Sequence, residues 1–198
     1  MAVTPAGLEE ISEAGAKIVW SPSSNRVLYG RTADIQQILS LGITTGLGPD
    51  WTVSGEDEML SEMRYALAYG RGEIGDSPSP LVTPRKLWQM ATRDGAVVLD
   101  LDGTRPGLSG KIGKLEPDYR ADIAVFARTG SDPYEALIQS RAPDVRLVLI
   151  DGAAYYGDDN LREATARNDY CESFDACGGP KFICVQDSPT ASNRRDET

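Results

Sequence analysis

The stretch ITTGLGPDW, residues 43–51, places a β-rich run with two glycines between two segments of helical periodicity. Before it, apolar residues recur at helical spacing over residues 35–39, and after it they form a stripe over residues 59–67, with Glu62 on the polar face. Further upstream, KIVW at residues 17–20 is a short strand candidate that follows a helix pattern at residues 4–11 with Thr4 as its cap. The polar residues 21–25 after it predict a loop, and Thr32 is the expected cap of the helix at residues 35–39. Helices and strands that alternate with short connections predict parallel βα units, so the expected fold class is α/β.

The character of the sequence changes after a fourth helix pattern, which opens at Thr83 and Pro84 and closes the first predicted domain at residues 1–100. Residues 101–160 are rich in glycine and in short strand candidates, and Asp151 with Gly152 suits a type I′ hairpin turn. This segment therefore predicts a small β module. Residues 161–198 are polar and show no periodicity, which predicts a tail.

The composition is that of an acidic globular protein. The hydrophobic fraction is 40%, enough for a buried core, and the formal net charge is -10. Phosphate binding requires a lysine and arginine surface, so nucleic acid is not expected as a partner. Apolar runs all stay well short of the roughly 20 residues that span a bilayer, so a membrane is not expected either.

Histidine is absent from the sequence, which excludes Ser-His-Asp, Cys-His and His-metal chemistry for this chain acting alone. The three cysteines, Cys171, Cys177 and Cys184, have neither a histidine nor a CxxC spacing beside them. A zinc finger is therefore not expected. Two alternatives stay open for the cysteines: a local disulfide in an exported protein, or buried free thiols.

Four segments, taken in chain order, carry a resemblance to a known family. They are IVWSPSSN at residues 18–25, ITTGLGPDW at residues 43–51, EDEMLSEMRYAL at residues 56–67, and LVTPRKLWQMATRDGAVVLDLD at residues 81–102 followed by GKIGKLEPDYRADIAVF at residues 110–126. Together they resemble the amidohydrolase superfamily, specifically its deaminase and imidazolonepropionase-like branch. The resemblance covers residues 4–156, and the last segment is its most specific part.

The resemblance implies a partial (β/α)8 barrel, its last strands and helices, together with part of a small β-sandwich module. It also implies a divalent metal, most often zinc, held by histidines of earlier strands and by an Asp that ends the eighth strand. Asp50 stands at that position, as metal ligand and as the catalytic residue that accepts a proton from the metal-activated water. The alternative for an Asp after a glycine-rich strand is a helix cap or a turn residue. The implied reaction is hydrolysis of a non-peptide carbon–nitrogen bond in a small-molecule substrate.

Two positions depart from the family pattern near Asp50. Trp20 stands where the family has a histidine, and Pro49 stands where it has a threonine. Trp20, Asn25 and Trp51 are candidates for the substrate pocket. The alternative for the two tryptophans is packing, and the alternative for Asn25 is anchoring of the loop backbone.

Asp50 alone cannot hold zinc, because a catalytic zinc site takes about three protein ligands. The sequence therefore predicts that Met1 is an internal methionine of a longer protein, and that this chain alone binds no metal and is inactive. The alternative is a non-catalytic module that docks on a separately encoded N-terminal half, or a homo-oligomer. A third hypothesis is an extracellular domain held together by its cysteines. The protein is expected to be soluble, cytoplasmic as the family default, with export as the alternative.

Overall fold

In the computed structural model, the described residues are 3–75, 77–105, 111–164, 171–176 and 178–184. The chain divides into two compact units. Unit 1 comprises residues 1–114 and 131–139, and unit 2 comprises residues 115–130 and 140–198. Over the residues described, no helix combines the length and the apolar character needed to cross a membrane.

Unit 1 is built from seven helices and two strands, counted over the described residues. In chain order these are α1 (Pro5–Glu13), β1 (Ile18–Trp20), α2 (Pro22–Tyr29), α3 (Ile35–Ser40), β2 (Thr45–Leu47), α4 (Met59–Gly70), α5 (Pro84–Ala91), α6 (Arg93–Val98) and α7 (Pro133–Gln139). The predicted caps of α1 and α5 are confirmed. The Thr4 hydroxyl accepts a hydrogen bond from the Gly7 amide, and the Thr83 hydroxyl accepts one from the Lys86 amide. The α/β fold class is confirmed.

Strands β1 and β2 pair in parallel, with Trp20 opposite Leu47 at their carboxyl ends. All three residues of β2 are buried, because helices of the unit pack around this short sheet. Among the residues that the structure describes, the unit's apolar core contains 14 buried residues: Leu8, Trp20, Ile35, Ile38, Ile43, Leu47, Met63, Ala66, Leu67, Tyr69, Val82, Leu87, Met90 and Ile138. The carboxyl ends of β1 and β2 therefore lie side by side at one edge of a packed unit.

Two local predictions in unit 1 are wrong. Residues 21–25 were expected to form a loop, but the chain enters α2 at Pro22, a residue whose fixed φ suits the first turn of a helix. The residues after it are polar and leave no apolar stripe, so the periodicity does not reveal the helix. In α3 the N-cap is Asp34, whose carboxylate accepts from the Gln37 amide at 2.9 Å, and not the expected Thr32.

Unit 2 is a five-stranded antiparallel sheet over the part of the chain that the structure describes. Its strands are β3 (Ile123–Phe126), β4 (Val145–Ile150), β5 (Ala153–Asp158), β6 (Glu172–Ala176) and β7 (Gly179–Ile183), in the spatial order β3-β4-β5-β7-β6. The predicted hairpin turn between β4 and β5 is confirmed. Asp151 and Gly152 have φ values of 52° and 78°, both in the left-handed region that a type I′ turn requires.

Residues 161–198, expected to be a polar tail, contribute β6 and β7 to this sheet. The prediction failed because ESFDA and GPKFI are short, and neither shows the apolar alternation of a half-buried strand. Cys171 and Cys184 lie directly before β6 and directly after β7, and they form a disulfide. Both cysteines are buried in a small core with Ala154 and Phe182. Cys177 lies outside the described residues.

Candidate active site

Asp50 lies three residues beyond the end of β2, at the carboxyl edge of the parallel pair. Its φ is 65°, a left-handed backbone conformation that is uncommon for a residue with a side chain, although Asp tolerates it better than most. The residue is exposed. The chain thus turns sharply after β2 and leaves a carboxylate at the edge of the sheet, as expected for a functional residue on a strand end.

A buried serine holds the Asp50 carboxylate. The Ser24 hydroxyl of α2 donates to Asp50 Oδ2 at 2.7 Å and lies 2.8 Å from the Ser54 hydroxyl. An ionised carboxylate only accepts hydrogen bonds, so the single Ser24 proton goes to Asp50 and Ser54 becomes the donor to Ser24. The other oxygen, Asp50 Oδ1, has no hydrogen-bond partner among the residues that the structure describes. One oxygen of Asp50 is fixed and the other is available for chemistry.

The loop after Asp50 is a tight turn that requires glycine at its end. The Trp51 carbonyl accepts from the Ser54 amide at 2.9 Å and from the Gly55 amide at 2.7 Å. A Cβ atom on Gly55 would lie only 1.9 Å from the Pro49 carbonyl oxygen, which is backbone and cannot move aside. The glycine therefore permits the turn that brings Ser54 to Ser24.

Below this loop lies a fully buried carboxylate, Glu62 of α4, with an exposed fraction of 0%. Its Oε1 accepts from the Ser23 amide at 3.1 Å and its Oε2 accepts from the Ser23 hydroxyl. The Ser23 hydroxyl oxygen in turn accepts from the Glu56 amide at 3.3 Å. Burial raises the pKa of Glu62, although the hydrogen bonds from Ser23 act against the rise.

The other predicted site residues, Trp20, Asn25 and Trp51, differ from one another in exposure. Trp20 is 1% exposed in the core, where its indole packs edge-on against Tyr69. Its Nε1 donates to the Thr32 hydroxyl at 2.8 Å, and that hydroxyl donates to Asn25 Oδ1 at 3.1 Å. Trp51 is 64% exposed beside Asp50. A substrate-contacting role for these residues stays a prediction, and of the three only Trp51 presents an open surface.

Sequence reasoning predicted Asp50 as a site residue but did not name Ser24, Ser54 or Glu62. Glu62 was assigned to the polar face of its helix, and this assignment is wrong because the side chain is buried. The signal was present in the spacing: Glu62 lies three residues after Met59 and four before Ala66, on the same face as the apolar stripe. A charged residue within an apolar stripe indicates a buried polar contact.

The residues present do not fit a metal site by themselves. The sequence contains no histidine, and among the described residues no group of three or more Asp, Glu or Cys side chains could hold a metal ion. The hydrogen-bonding neighbour of Asp50 is a serine, which is not a typical zinc ligand. One carboxylate falls short of the three protein ligands that a catalytic zinc takes.

Comparison with known proteins identifies the family that most of this chain matches. The model of the amidohydrolase family matches residues 1–154. A 5-methylthioadenosine/S-adenosylhomocysteine deaminase of Desulfitobacterium hafniense is 34% identical over 143 residues, which are 68% of this chain and 31% of that protein. The corresponding deaminase of Haloarcula marismortui is 31% identical over 120 residues, 60% of this chain and 25% of that protein. The chain thus spans between about a quarter and a third of the length of these curated relatives.

Solved structures show the same relationship. The zinc complex of atrazine chlorohydrolase TrzN from Arthrobacter aurescens TC1 superposes with a TM-score of 0.62 at 28% identity, covering 78% of this chain and 34% of that one. An adenosine deaminase from Xanthomonas campestris with bound zinc gives a TM-score of 0.63 at 23% identity, with coverage of 76% and 34%, and supports the fold alone. With its family match over 154 of 198 residues, this chain belongs to the amidohydrolase family.

Proposed function

We propose that this chain is the C-terminal portion of a hydrolase that cleaves carbon–nitrogen bonds in aminated nitrogen heterocycles, with Asp50 as a catalytic residue. The observation that carries the proposal is the state of Asp50: exposed, in a left-handed conformation at a parallel strand end, with one oxygen fixed by Ser24. The relatives named as deaminases support the substrate class. A partial (β/α)8 barrel is the architecture that we propose for unit 1.

The proposed chemistry needs one proton acceptor beside the reacting carbon. Water adds to the ring carbon that carries the amine, its proton passes to a base, and the base returns the proton to the departing nitrogen, so that ammonia leaves. Asp50 Oδ1 is suited to this transfer, because Ser24 holds Oδ2 and prevents the carboxylate from turning away. Metal ligands would have to come from residues outside this histidine-free sequence, so the chain alone is proposed to be inactive.

A chimera tests the proposal. Residues 4–154 replace the matched part of the Desulfitobacterium hafniense deaminase, and ammonia release from 5-methylthioadenosine is measured. We expect activity in the chimera and a loss of about 10²- to 10⁴-fold in kcat on Asp50→Asn, the range for a lost general base. The matched control is Asp57→Asn, an exposed carboxylate seven residues further on, which should leave kcat unchanged. Full activity of the Asp50→Asn chimera would refute the role of Asp50.

A second candidate is a non-catalytic module that docks on a separately encoded N-terminal half. It is favoured by the β1–β2 pair, since each strand has one edge without a strand partner among the described residues, and by Val19, which is 54% exposed in the middle of β1. The test expresses the remaining two thirds of the deaminase as a separate chain. Co-elution at a one-to-one mass without ammonia release supports docking. Elution of this chain as a monomer or as a dimer of itself speaks against it.

A further inference from the structure

The Glu62 carboxylate is buried without a cationic partner in the contacts that the structure describes. Both of its oxygens bind one residue, Ser23, through the backbone amide and the hydroxyl. A buried carboxylate of this kind costs free energy, since burial disfavours its charged form and raises its pKa. Its presence in an otherwise apolar helix face therefore indicates that the Ser23 contact has a purpose beyond packing.

The Ser23 contact fixes both sides of the loop that carries Asp50. On one side, Ser23 precedes Ser24, whose hydroxyl donates to Asp50 Oδ2 at 2.7 Å. On the other side, the Ser23 oxygen accepts from the Glu56 amide at 3.3 Å, at the end of the turn that contains Ser54. Glu62 thus lies under the point where the start of α2 and the loop after Asp50 meet.

Asp50 depends on such support because its backbone is in an unfavourable region. A left-handed conformation at a residue with a side chain is uncommon and depends on surrounding contacts that favour it. The Ser24 hydroxyl supplies one of these contacts, and its direction follows from the orientation of the first turn of α2. Ser24 is itself fully buried, so a shift of that turn cannot be absorbed by rotation into solvent.

We propose that Glu62 is a positioning residue for Asp50: by binding the Ser23 amide and hydroxyl, it orients α2 so that the Ser24 hydroxyl faces the Asp50 carboxylate. The catalytic meaning of this role rests on the proposed function of Asp50, but the mechanical link does not. A glutamine at position 62 keeps the size of the side chain and offers one acceptor oxygen for two donors. Its NH2 group would face either the Ser23 N–H or the Ser23 hydroxyl, so that one of the two hydrogen bonds to Ser23 is lost or reversed in direction.

The test uses the full chain and needs no catalytic activity. Backbone amide signals of Asp50 and Ser54 are recorded by ¹⁵N–¹H NMR in Glu62→Gln, Ser24→Ala and the double variant. We expect both single variants to displace these signals, and the double variant to displace them no further than the larger single change, because both act through one link. Signals of Asp50 and Ser54 that stay in place in Glu62→Gln, while the unfolding temperature falls, would show a merely structural role and overturn the proposal.

Two further variants separate positioning from general destabilisation. Ser23→Ala removes the hydroxyl that joins Glu62 to the Glu56 amide, and it should displace the same signals even where Glu62→Gln folds poorly. Asp94→Asn is the matched control, because Asp94 is a buried carboxylate that lines a cavity with Ile43 and Thr44, at the other end of β2. It should lower stability and leave the Asp50 and Ser54 signals in place. Displacement by Asp94→Asn to the same extent would refute a specific link.

In the chimera, Glu62→Gln should lower kcat by about tenfold to a hundredfold and change KM little, the cost of a misplaced catalytic group. An inactive chimera would speak against the proposed function and leave the NMR result intact. An active chimera whose kcat is unaffected by Glu62→Gln would overturn the positioning role alone. The two proposals therefore fail in different experiments.

Discussion

The two units of the chain are stabilised in different ways. Over the described part of the chain, unit 1 has an apolar core of 14 buried residues around a two-stranded sheet, whereas the core of unit 2 contains four buried residues, two of which are the cysteines of the disulfide. A small unit that buries little apolar surface needs another source of stability, and a disulfide supplies it by restricting the unfolded chain. Unit 1, which contains Asp50, is therefore stabilised mainly by apolar burial, and unit 2 relies on a covalent link.

A buried ion pair adds to the stability of unit 2. Lys181 of β7 is 3% exposed, and its ammonium donates to the Asp158 carboxylate and to the Val145 carbonyl at 2.7 Å. Burial acts to raise the pKa of Asp158, but hydrogen bonds from Lys181 and Arg146 outweigh it and hold that pKa below its usual value. In unit 2, polar contacts therefore supply part of the stability that the large apolar core supplies in unit 1.

Reduction of the Cys171–Cys184 disulfide should have the largest effect and should be confined to unit 2. The bond closes a short hairpin loop, for which the chain-entropy model gives about 3 kcal/mol. Amide hydrogen exchange of β5, β6 and β7 reports on unit 2. Tryptophan fluorescence reports on unit 1, because all three tryptophans belong to it. We expect faster exchange in the three strands, and an unchanged fluorescence transition, in the reduced protein and in the Cys171→Ala/Cys184→Ala variant.

The matched control for this prediction is a core truncation in unit 1. Leu87 is fully buried in α5, so Leu87→Ala should lower the free energy of unfolding by about 2–5 kcal/mol and shift the fluorescence transition instead. Equal exchange rates in the oxidised and the reduced protein would contradict this difference between the units, because the buried core described for unit 2 would then keep the sheet stable without the disulfide.

The sequence predicted those parts of the fold that are specified locally. The apolar periodicity of α4 and the Asp151–Gly152 turn both depend on neighbouring residues, and both are confirmed. Helix α2 was missed because a contact across 39 residues, between Ser23 and Glu62, supports its first turn. Tertiary contacts of this kind override local propensity and leave no periodic signal.

The candidate site, like the fold, has one part that the sequence specifies locally and one part that depends on tertiary contacts. Asp50 was predicted as a site residue because its position follows a strand pattern and a family motif, which are both linear features of the sequence. Its left-handed backbone and its bond to Ser24 arise only when the two strand ends lie side by side. The strands β6 and β7 were missed because a disulfide and the neighbouring β5 stabilise them more than their own apolar pattern does.

The buried Asp94 of unit 1 and the partly buried Asp158 of unit 2 can be compared by the response of each unit's stability to pH. In unit 1, burial disfavours ionised Asp94, but hydrogen bonds from Lys86 at 2.8 Å and from Arg93 outweigh it and lower its pKa. A carboxyl whose pKa is lowered by folding stabilises the protein above its unfolded pKa of about 3.9, and this stability is lost as the pH falls through the folded pKa. Asp158 in unit 2 follows the same rule.

Asp94→Asn should therefore cost about 1–3 kcal/mol at pH 7, as hydrogen bonds to a charged group do, and progressively less below about pH 4. The fluorescence transition of unit 1 should record this loss, whereas Asp158→Asn should change only the exchange of β5 and β7. Urea unfolding at pH 7 and at pH 3.5 gives the two free energies. A cost of Asp94→Asn that is the same at both pH values would contradict the assignment of the lowered pKa.

The smallest effect is expected for the exposed ion pair between Arg71 and Glu135, which joins the end of α4 to α7 at 2.7 Å. Helix α7 belongs to unit 1, although the chain passes through unit 2 on both sides of it. Its Ile138 is fully buried in the apolar core, while the two charged side chains are 45% and 33% exposed. Exposed ion pairs are screened by water and salt, so the pair should contribute less than about 1 kcal/mol.

A double-mutant cycle with Arg71→Ala and Glu135→Ala measures this coupling through the fluorescence transition of unit 1. Ile138→Ala, which opens a cavity, should cost about 2–5 kcal/mol and serves as the comparison. Salt at 1 M should abolish the coupling and leave the cost of Ile138→Ala unchanged, because burial is not screened. A coupling as large as the cost of Ile138→Ala would mean that α7 is held by charge. Unit 1 would then share the dependence on polar contacts that distinguishes unit 2.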